Sequence, residues 1–506
     1  MTISIAVANA ERRLPLWLGR LSLLLAFLCV HTAVWTSYAL LSHRGGLHPD
    51  MLEAYSWGRE FQLGYYKHPP FWAWIAGAWF EIFPRTNAAF YLLATLNSGI
   101  AVLGVWQLAG LLTRSSYRFS ATALLLLLPA YTLQGHQYNA NFILVSLWPW
   151  TAYVFVRSME TRNLLDAVLL AVLAAAAMLS KYYSVFLLAS CFAASFFHPD
   201  WRLYYRSAAP YVAAALCALL VAPHVWWLVQ HDFPTFRYAE SRAEFPTARV
   251  VSCFITFNLG ALGVNALPAL LITAASWGRH MTSREREPKP IAPGYARFCT
   301  ILALGPFCLT LASALLGHFR ISTNFASPIF FLMPLLIIHW LRPAPERLRW
   351  SAIGTIVLFS AGALLAASAV PPLSRLAGTR PPKPFIEAAK SAAAIWSRET
   401  GAPLRIIAGS LLYAEAAVFY TPGDASHFID FSKKLAPWIT DARLAREGLL
   451  IICPADDALC LRRAAAFSVG AKVTDVTLSG IDGPPVPIKV IAVPPVGNGA
   501  DLIARR

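Results

Sequence analysis

The sequence predicts an α-helical membrane protein that crosses the bilayer about eleven times and ends in a soluble α/β domain. The first observation is composition: of 506 residues, 57% are hydrophobic and 13% are charged, with a mean hydropathy of +0.53. Soluble domains carry about 25% charged residues, so a long chain with half that share is a membrane protein. The second observation is a series of long apolar runs. The third is a change of pattern after residue 370, where short apolar segments alternate with polar ones.

A helix needs about 20 apolar residues to cross the hydrocarbon core of a bilayer, and eleven apolar runs of the sequence are close to that length. They fall near residues 15–41, 88–112, 119–135, 140–156, 165–180, 182–197, 208–229, 251–277, 297–317, 326–341 and 350–370. If the N-terminus, with Arg12 and Arg13, is cytoplasmic, then each of the loops that must also be cytoplasmic holds at least two Arg or Lys, as the positive-inside rule requires. An odd number of spans then places everything after residue 370 on the outer side. The excess of 42 Lys and Arg over 26 Asp and Glu therefore reflects loop charge rather than nucleic-acid binding.

The segment that follows residue 370 is predicted to form a Pro-rich hinge at 371–383 and a soluble α/β domain at 384–506. A helical pattern opens at Pro384 and closes at Gly401. Four strand-like runs, "LRIIAGS", "LLIICP", "KVTDVTLSG" and "PIKVIAVPP", alternate with further helical segments. Cys453 and Cys460 belong to this domain, so in an oxidising compartment they either pair or remain two partly buried thiols.

Charge concentrates in the first outer segment, residues 42–87, of a chain that elsewhere avoids it. Helical spacing places Asp50 and Glu53 on one face, and Lys67 and His68 follow just before a Pro-Pro break. A positioned carboxylate can act as a general base. Cations at a helix start can neutralise the charge on a phosphate leaving group. The combination predicts a base beside an anion site, and the alternative is that these charges only anchor an interfacial helix.

Other groups on the outer side extend this predicted anion site. Lys181 lies in a tight turn between two predicted spans, where a charge is a functional candidate by default, although it can also snorkel to the interface. In the segment "GHFRISTNF", Arg320 suits bidentate binding of a phosphate or carboxylate. The remaining candidate substrate contacts are His318, Asn324, Arg59, Tyr65, Tyr66 and Tyr182, with Asn139 and Gln137 as secondary candidates.

The stretch "LGYYKHPPFWAW", residues 63–74, resembles the first outer loop of the GT-C class of polyprenyl-phosphate-sugar-dependent glycosyltransferases. This class includes protein O-mannosyltransferases and the lipid A aminoarabinose transferase, and its bacterial members share an acidic loop followed by "GY..HPP". The run "LSKYYSV" at 179–185 is a further typical feature. The chain is most similar to the rhizobial-type members, which include lipid A core galacturonosyltransferases, and the resemblance covers the spans up to about residue 370.

The resemblance implies a GT-C fold and the inverting transfer of a sugar from a polyprenyl monophosphate to a glycolipid or surface glycan. It makes a first-loop acid the base that activates the acceptor hydroxyl. This acid is Asp50 or Glu53, because the family's usual adjacent pair is three residues apart here. The phosphate contact falls on His68 by position or on Lys67 by charge. Asn139 belongs to a patch where many relatives carry Asp, which argues against a metal or a second acid there.

The sequence contains no nucleotide or redox signature, neither GxGxxG nor a Walker loop, and it does not indicate a metal. The expected partners are a polyprenyl-phosphate-linked sugar, a glycolipid or surface-glycan acceptor and the bilayer of a bacterial inner membrane, with the C-terminal domain in the periplasm. A transporter or lipid flippase is the alternative, but such proteins usually show inverted repeats and charged or broken helices at mid-membrane. A scaffold that only presents its soluble tail would leave the first loop without a purpose.

Overall fold

The computed structural model describes residues 16–43, 46–240, 247–277, 289–317, 321–376, 384–479 and 484–496. Up to residue 376 the described chain is helical, and an α/β domain follows from residue 384. Helices α1 to α15 of the first part are Leu16–Ser42, Pro49–Gly58, Phe71–Ile82, Asn87–Leu112, Ser115–Ala123, Leu144–Thr161, Leu164–Ser180, Val185–Ser195, Trp201–Arg206, Ala209–Gln230, Pro234–Glu240, Thr247–Ser276, Ala296–Gly317, Met333–Leu341 and Pro345–Leu376. Short 3₁₀ turns lie at Leu124–Leu127, Pro129–Tyr131, Tyr182–Ser184, Thr323–Ala326 and Ile329–Leu332.

Seven helical segments among the described residues are long and apolar enough to cross a bilayer. They are Leu23–Ser42, Asn87–Leu112, Ala209–Gln230, Ala248–Ser276, Ala296–Gly317, Thr323–Leu341 and Pro345–Ala369. Several expose large apolar side chains to the surroundings: Leu262 on α12 and Leu358 on α15 are 71% and 75% exposed. Extended apolar surface of this kind is expected to face lipid rather than water. The chain is therefore a multi-pass membrane protein.

The other four predicted spans correspond to shorter or interrupted helices. The run predicted at 119–135 is not one helix, because α5 ends at Ala123 and two 3₁₀ turns follow. Pro129 disfavours helical geometry in the residue before it, and Leu128 accordingly lies at φ −85° and ψ 130°. The runs predicted at 140–156, 165–180 and 182–197 correspond to α6, α7 and α8.

The first outer loop folds into two crossing helices, α2 and α3. The sequence pattern predicts that α2 runs to about Leu63, but the helix ends at Gly58, and Phe61 turns the chain with a φ of +44°. A Cβ atom on Gly58 would lie 2.6 Å from the backbone nitrogen of Gly77. The two glycines therefore let the backbones of α2 and α3 touch.

The C-terminal domain is a mixed five-stranded sheet with helices, as the sequence predicts. Its strands β1 to β5 are Ile406–Gly409, Ser426–His427, Leu449–Pro454, Lys472–Leu478 and Val486–Val493, in the spatial order β2-β1-β3-β5-β4. Strand β1 pairs in parallel with β2 and β3, whereas β5 pairs antiparallel with β3 and β4. Its helices α16 to α19 are Phe385–Thr400, Leu411–Tyr420, Asp441–Glu447 and Ala458–Ala465.

Two local features of this domain bear on the sequence analysis. Cys453 and Cys460 form a disulfide, with Cα atoms 5.8 Å apart, which joins β3 to α19. The stretch 371–383, which is predicted to be a hinge, overlaps α15, because that helix continues to Leu376. Pro371 and Pro372 therefore fall in the last two turns of α15, where each removes one backbone hydrogen bond. The remainder of the predicted hinge, residues 377–383, lies outside the described residues.

The C-terminal domain packs directly on the first outer loop. The ring of Phe419 on α17 lies 5.2 Å from Tyr55 of α2 and 5.4 Å from Phe80 of α3, centroid to centroid. The guanidinium of Arg59 donates a hydrogen bond of 2.6 Å to the carbonyl of Ala425. The loop and the domain therefore lie on the same side of the membrane and share one interface.

Candidate active site

Asp50 lies in the first turn of α2, where its carboxylate is held by an asparagine from the segment between α5 and α6. His48 caps the helix, its Nδ1 accepting from the Asp50 backbone nitrogen at 3.2 Å. The amide nitrogen of Asn139 donates to Oδ2 of Asp50 at 3.0 Å. The amide oxygen of Asn139 accepts from the backbone nitrogens of Asn141 and Phe142. Since the Asp50 side chain is 43% exposed, a carboxylate oxygen remains open to a substrate.

Glu53, one turn further along α2, has a different environment. Its carboxylate is buried and accepts a short hydrogen bond from the Lys67 ammonium, with which it forms an ion pair. Burial raises the pKa of Glu53, and Lys67 opposes this shift. Burial acts against the charged form of Lys67, but the charge and hydrogen bond of Glu53, together with Tyr66 and Glu415, outweigh it and raise the pKa of that ammonium. The aromatic rings of Trp57 and Tyr66 lie 5.7 Å and 5.4 Å from the Lys67 nitrogen, which holds the cation in place.

Lys181 points from the turn between α7 and α8 toward the same cluster. Its ammonium donates to the side-chain oxygen of Asn141 and lies 4.2 Å from the centre of the Phe325 ring. Desolvation lowers the pKa of Lys181 to about 7, and the carboxylate of Asp50 opposes the shift. Asn141 therefore connects the lysine to the asparagine that holds Asp50. An anion bound here would favour the charged form of Lys181.

His68 is the third group facing this cluster. Burial lowers its pKa well below the ordinary value, and the charges of Lys181 and Lys67 lower it further. The imidazole is therefore neutral at neutral pH and can donate a hydrogen bond to a phosphate without adding charge. Its ring meets the Trp72 ring edge-on at 5.9 Å. The two residues predicted as alternatives for the phosphate contact therefore differ in kind: Lys67 carries a positive charge, and His68 is a neutral hydrogen-bond donor.

Two buried groups of the C-terminal domain that are not predicted from the sequence adjoin this cluster. Glu415 on α17 and His427 on β2 are 2% and 0% exposed. Among the described residues, no hydrogen-bond partner reaches Oε1 of Glu415 or either ring nitrogen of His427. Burial raises the pKa of Glu415 well above its ordinary value, as do the charges of Glu53 and, to a smaller extent, Asp50. A single acid inside the apolar run "LLYAEAAVFY" is the signal that could have identified Glu415.

Several predicted contacts hold the loop together instead of facing the cluster. The hydroxyl of buried Tyr65 donates to the carbonyl of Trp57 at 2.6 Å. Arg59 binds the carbonyl of Ala425 in the C-terminal domain. Tyr182 contacts His224 through a hydrogen bond of 2.6 Å between its hydroxyl and Nε2. These residues position the first loop against its neighbours.

The remaining candidates lie at or beyond the edge of the cluster. Asn324 is exposed in a 3₁₀ turn, next to the Phe325 ring that packs on Lys181. Gln137 donates a backbone hydrogen bond to Gln134 within the segment between α5 and α6. His318 and Arg320 lie outside the described residues. Within the described ranges, no group of three or more His, Cys, Asp or Glu side chains is arranged to hold a metal ion.

The chain is similar in sequence and in fold to known glycosyltransferases. The family model described as dolichyl-phosphate-mannose-protein mannosyltransferase matches residues 67–227. The lipid A galacturonosyltransferase RgtD of Rhizobium johnstonii is 24% identical over 231 residues, 45% of this chain and 45% of that protein. The chain thus aligns with less than half the length of this curated relative.

Solved structures extend the likeness to nearly the whole chain. ArnT from Cupriavidus metallidurans bound to undecaprenyl phosphate superimposes with a TM-score of 0.58 and 14% identity, covering 94% of this chain and 98% of that one. The apo state of the same protein gives a TM-score of 0.53 over the same shares. The predicted GT-C fold is therefore present, and the predicted resemblance to the GT-C class of polyprenyl-phosphate-sugar-dependent glycosyltransferases is confirmed.

Proposed function

We propose that the protein is an inverting glycosyltransferase that moves a sugar from a polyprenyl monophosphate to a lipid A-type glycolipid at the outer face of the inner membrane. The observation that carries the proposal is one accessible carboxylate, Asp50, beside a group of phosphate-binding candidates, Lys67, His68 and Lys181. Support for the lipid comes from the similar ArnT structure, which holds undecaprenyl phosphate. Support for the acceptor comes from the similar lipid A galacturonosyltransferase.

In the proposed reaction, Asp50 is the base. The acceptor oxygen attacks the anomeric carbon of the donor sugar, and its proton passes to the open carboxylate oxygen of Asp50. The bond between the anomeric carbon and the phosphate oxygen breaks, and its electron pair stays on that oxygen. Asn139 keeps Asp50 in place through its 3.0 Å hydrogen bond. A positioned base of this kind contributes about 10²–10⁴-fold in rate.

The leaving phosphate is stabilised by the three groups that surround it in this proposal. Lys67 supplies a fixed positive charge because Glu53 keeps it ionised. Lys181 gains a full charge when the phosphate arrives, and His68 donates a hydrogen bond. Preorganised donors and cations aimed at developing charge are the usual source of the largest rate effects. Glu53 is then a positioning residue for Lys67 rather than the base.

The proposed location follows from the loop charges and from the shared interface of the loop and the C-terminal domain. A reporter that is active only outside the cytoplasm should be active when fused after Arg506 and silent when fused after Arg286. The positive-inside pattern predicts this result. The reverse pattern would place Asp50 and its neighbours in the cytoplasm and would contradict the proposed site of transfer.

The activity is tested with purified protein in lipid nanodiscs, a polyprenyl-phosphate-linked sugar and a lipid A acceptor. We expect the acceptor to gain the mass of one sugar and free polyprenyl phosphate to accumulate in equal amount. Mass spectrometry of glycolipids from cells with and without the protein should show the same mass difference. A transporter or flippase would move a lipid between leaflets without this change in mass, so an unchanged acceptor with every donor tested would reject the enzyme.

A further inference from the structure

A cavity of about 280 Å³ lies where the first loop, the outer end of α10 and the C-terminal domain meet. The loop contributes Tyr66, and α10 with its following turn contributes Trp227 and His231. The C-terminal domain contributes Trp438 and a pair of lysines that includes Lys434. Two separate parts of the protein thus form one partly open cavity on the side of the membrane that carries the candidate active site.

The walls of this cavity are aromatic and tightly fixed. The ring of Trp227 packs against Gly64 so closely that a Cβ atom there would lie 2.3 Å from the indole. Trp227 also stacks on His231, with ring centres 4.5 Å apart. The indole nitrogen of Trp438 donates to the carbonyl of His427 at 3.2 Å. Rigid aromatic faces of this kind suit the C–H faces of a sugar ring.

Two lysines, Lys433 and Lys434, and one carboxylate, Asp232, line the cavity, and their ion pairs are exposed. Lys433 pairs with Asp441, and both side chains are exposed. Lys434 lies 4.0 Å from Asp232, which also faces Arg237 at 3.6 Å. The cavity lining therefore carries two lysines and one carboxylate. Exposed ion pairs contribute only about 0–1 kcal/mol, so both lysines can turn to a stronger anion at small cost.

Tyr66 connects this cavity to the candidate active site. Its ring lines the cavity, and the centre of the same ring lies 5.4 Å from the Lys67 ammonium. The donor phosphate has its own candidate groups around Lys67 and Lys181. A second anion-binding site that shares Tyr66 with the first is therefore placed to hold a different substrate close to the donor.

We propose that this cavity binds the phosphorylated sugar head of the acceptor glycolipid, with Lys433 and Lys434 on the phosphate and with Tyr66 and Trp438 on the sugar rings. This inference rests on the proposed function, because it assigns that reaction its acceptor site. The ligand class is an anionic sugar. The lysines select for the phosphate, and the aromatic walls select for the sugar over a phospholipid head.

Binding is tested without donor, so that the result does not depend on transfer. The probe is a bisphosphorylated glucosamine disaccharide, titrated into full-length protein in neutral nanodiscs. We expect Lys433→Gln with Lys434→Gln to weaken binding at least tenfold. The matched control, Lys472→Gln with Lys489→Gln, removes two ion-paired lysines on β4 and β5 and should bind as the wild type does. The dephosphorylated disaccharide should bind the wild type at least tenfold more weakly, and added salt should weaken the phosphorylated probe.

Equal binding by the wild type and the Lys433→Gln, Lys434→Gln protein would overturn the proposal, as would equal binding of the two disaccharides. Stronger binding of a phosphorylated head without sugar, such as glycerol phosphate, would also overturn it. In the transfer assay, the same double variant should raise KM for the acceptor at least fivefold and leave KM for the donor unchanged. A rise in the donor KM instead would make the cavity a donor subsite. If the wild type binds the disaccharide but transfers no sugar, the proposed function fails while the binding site stands.

Discussion

Asp50→Asn is the substitution that most directly separates chemistry from binding in this site. Asparagine keeps the shape of the side chain, and its amide oxygen can accept the 3.0 Å hydrogen bond from Asn139. The Asp50 side chain is 43% exposed, so no buried charge is lost, and the free energy of unfolding should change by less than about 0.5 kcal/mol. The amide cannot take the proton of the acceptor hydroxyl. The loss should therefore appear in turnover alone.

The size of the loss follows from the role of a general base. Such a base contributes about 10²–10⁴-fold, which corresponds to about 2.7–5.4 kcal/mol in the activation free energy. We expect kcat to fall at least 100-fold and KM for the donor to stay within threefold, measured with purified protein in nanodiscs and saturating acceptor. Melting curves of the variant and the wild type should coincide.

Glu53→Gln is the matched comparison, because it removes the other acid of the same helix. Removing one partner of a buried ion pair costs about 3–5 kcal/mol, and Lys67 loses the group that keeps it charged. This variant should therefore melt earlier and show a raised donor KM. If Asp50→Asn retains more than a third of the wild-type kcat, Asp50 is not the base. If Glu53→Gln instead loses kcat with an unchanged melting temperature and donor KM, the roles of the two acids are exchanged. Near-normal rates in both variants would leave the acids as interface anchors.

Three further predictions concern charge and the C-terminal domain. Since the pKa of Lys181 is lowered to about 7, the wild type should lose this positive charge between pH 6 and pH 8, whereas Lys181→Arg keeps it. Over this range the affinity of the wild type for undecaprenyl phosphate should fall about tenfold relative to that of Lys181→Arg. Parallel affinity curves for the two proteins would contradict this. Because the pKa of Glu415 is raised in the folded protein, the free energy of unfolding decreases as the pH rises above about 4.3, where the carboxyl of the unfolded chain ionises. Glu415→Gln should therefore raise the melting temperature more at pH 8 than at pH 5. An equal change at both pH values would refute this. The Cys453–Cys460 disulfide closes a short loop and should add about 2.5 kcal/mol to the free energy of unfolding of the C-terminal domain. Peptide mapping of protein from native membranes should find the two cysteines linked. Two free thiols would contradict this prediction.

The elements of the C-terminal domain could be predicted because their signals are local. The helix from Pro384 ends at Gly401, which takes the left-handed conformation expected of a C-cap, with a φ of +62°. Each strand-like run bounded by turn residues forms a strand of the sheet. The two-residue strand Ser426–His427 was missed, because a segment that short has no periodicity and depends on pairing with β1.

The candidate site was predictable in its residue types but not in its division of roles. Helical spacing places Asp50 and Glu53 on one face, yet one is half-exposed and the other is buried. This difference arises from contacts distant in sequence. Asn139 reaches Asp50 from 89 residues away, and the domain that carries Glu415 covers Glu53. No local pattern contains either contact.

These long-range contacts also indicate a role for the C-terminal domain in the proposed site. A domain attached only by a hinge would not be expected to bury Oε1 of Glu415 and both ring nitrogens of His427 against the membrane part without hydrogen-bond partners among the described residues. Both groups lie next to the ion pair of Glu53 and Lys67, because the pKa of Glu415 responds to both of these charges and the pKa of His427 responds to Lys67. Burial of that pair needs the domain in place, because α17 packs against α2. The C-terminal domain therefore belongs to the proposed phosphate site even though its own polar groups there are closed to solvent.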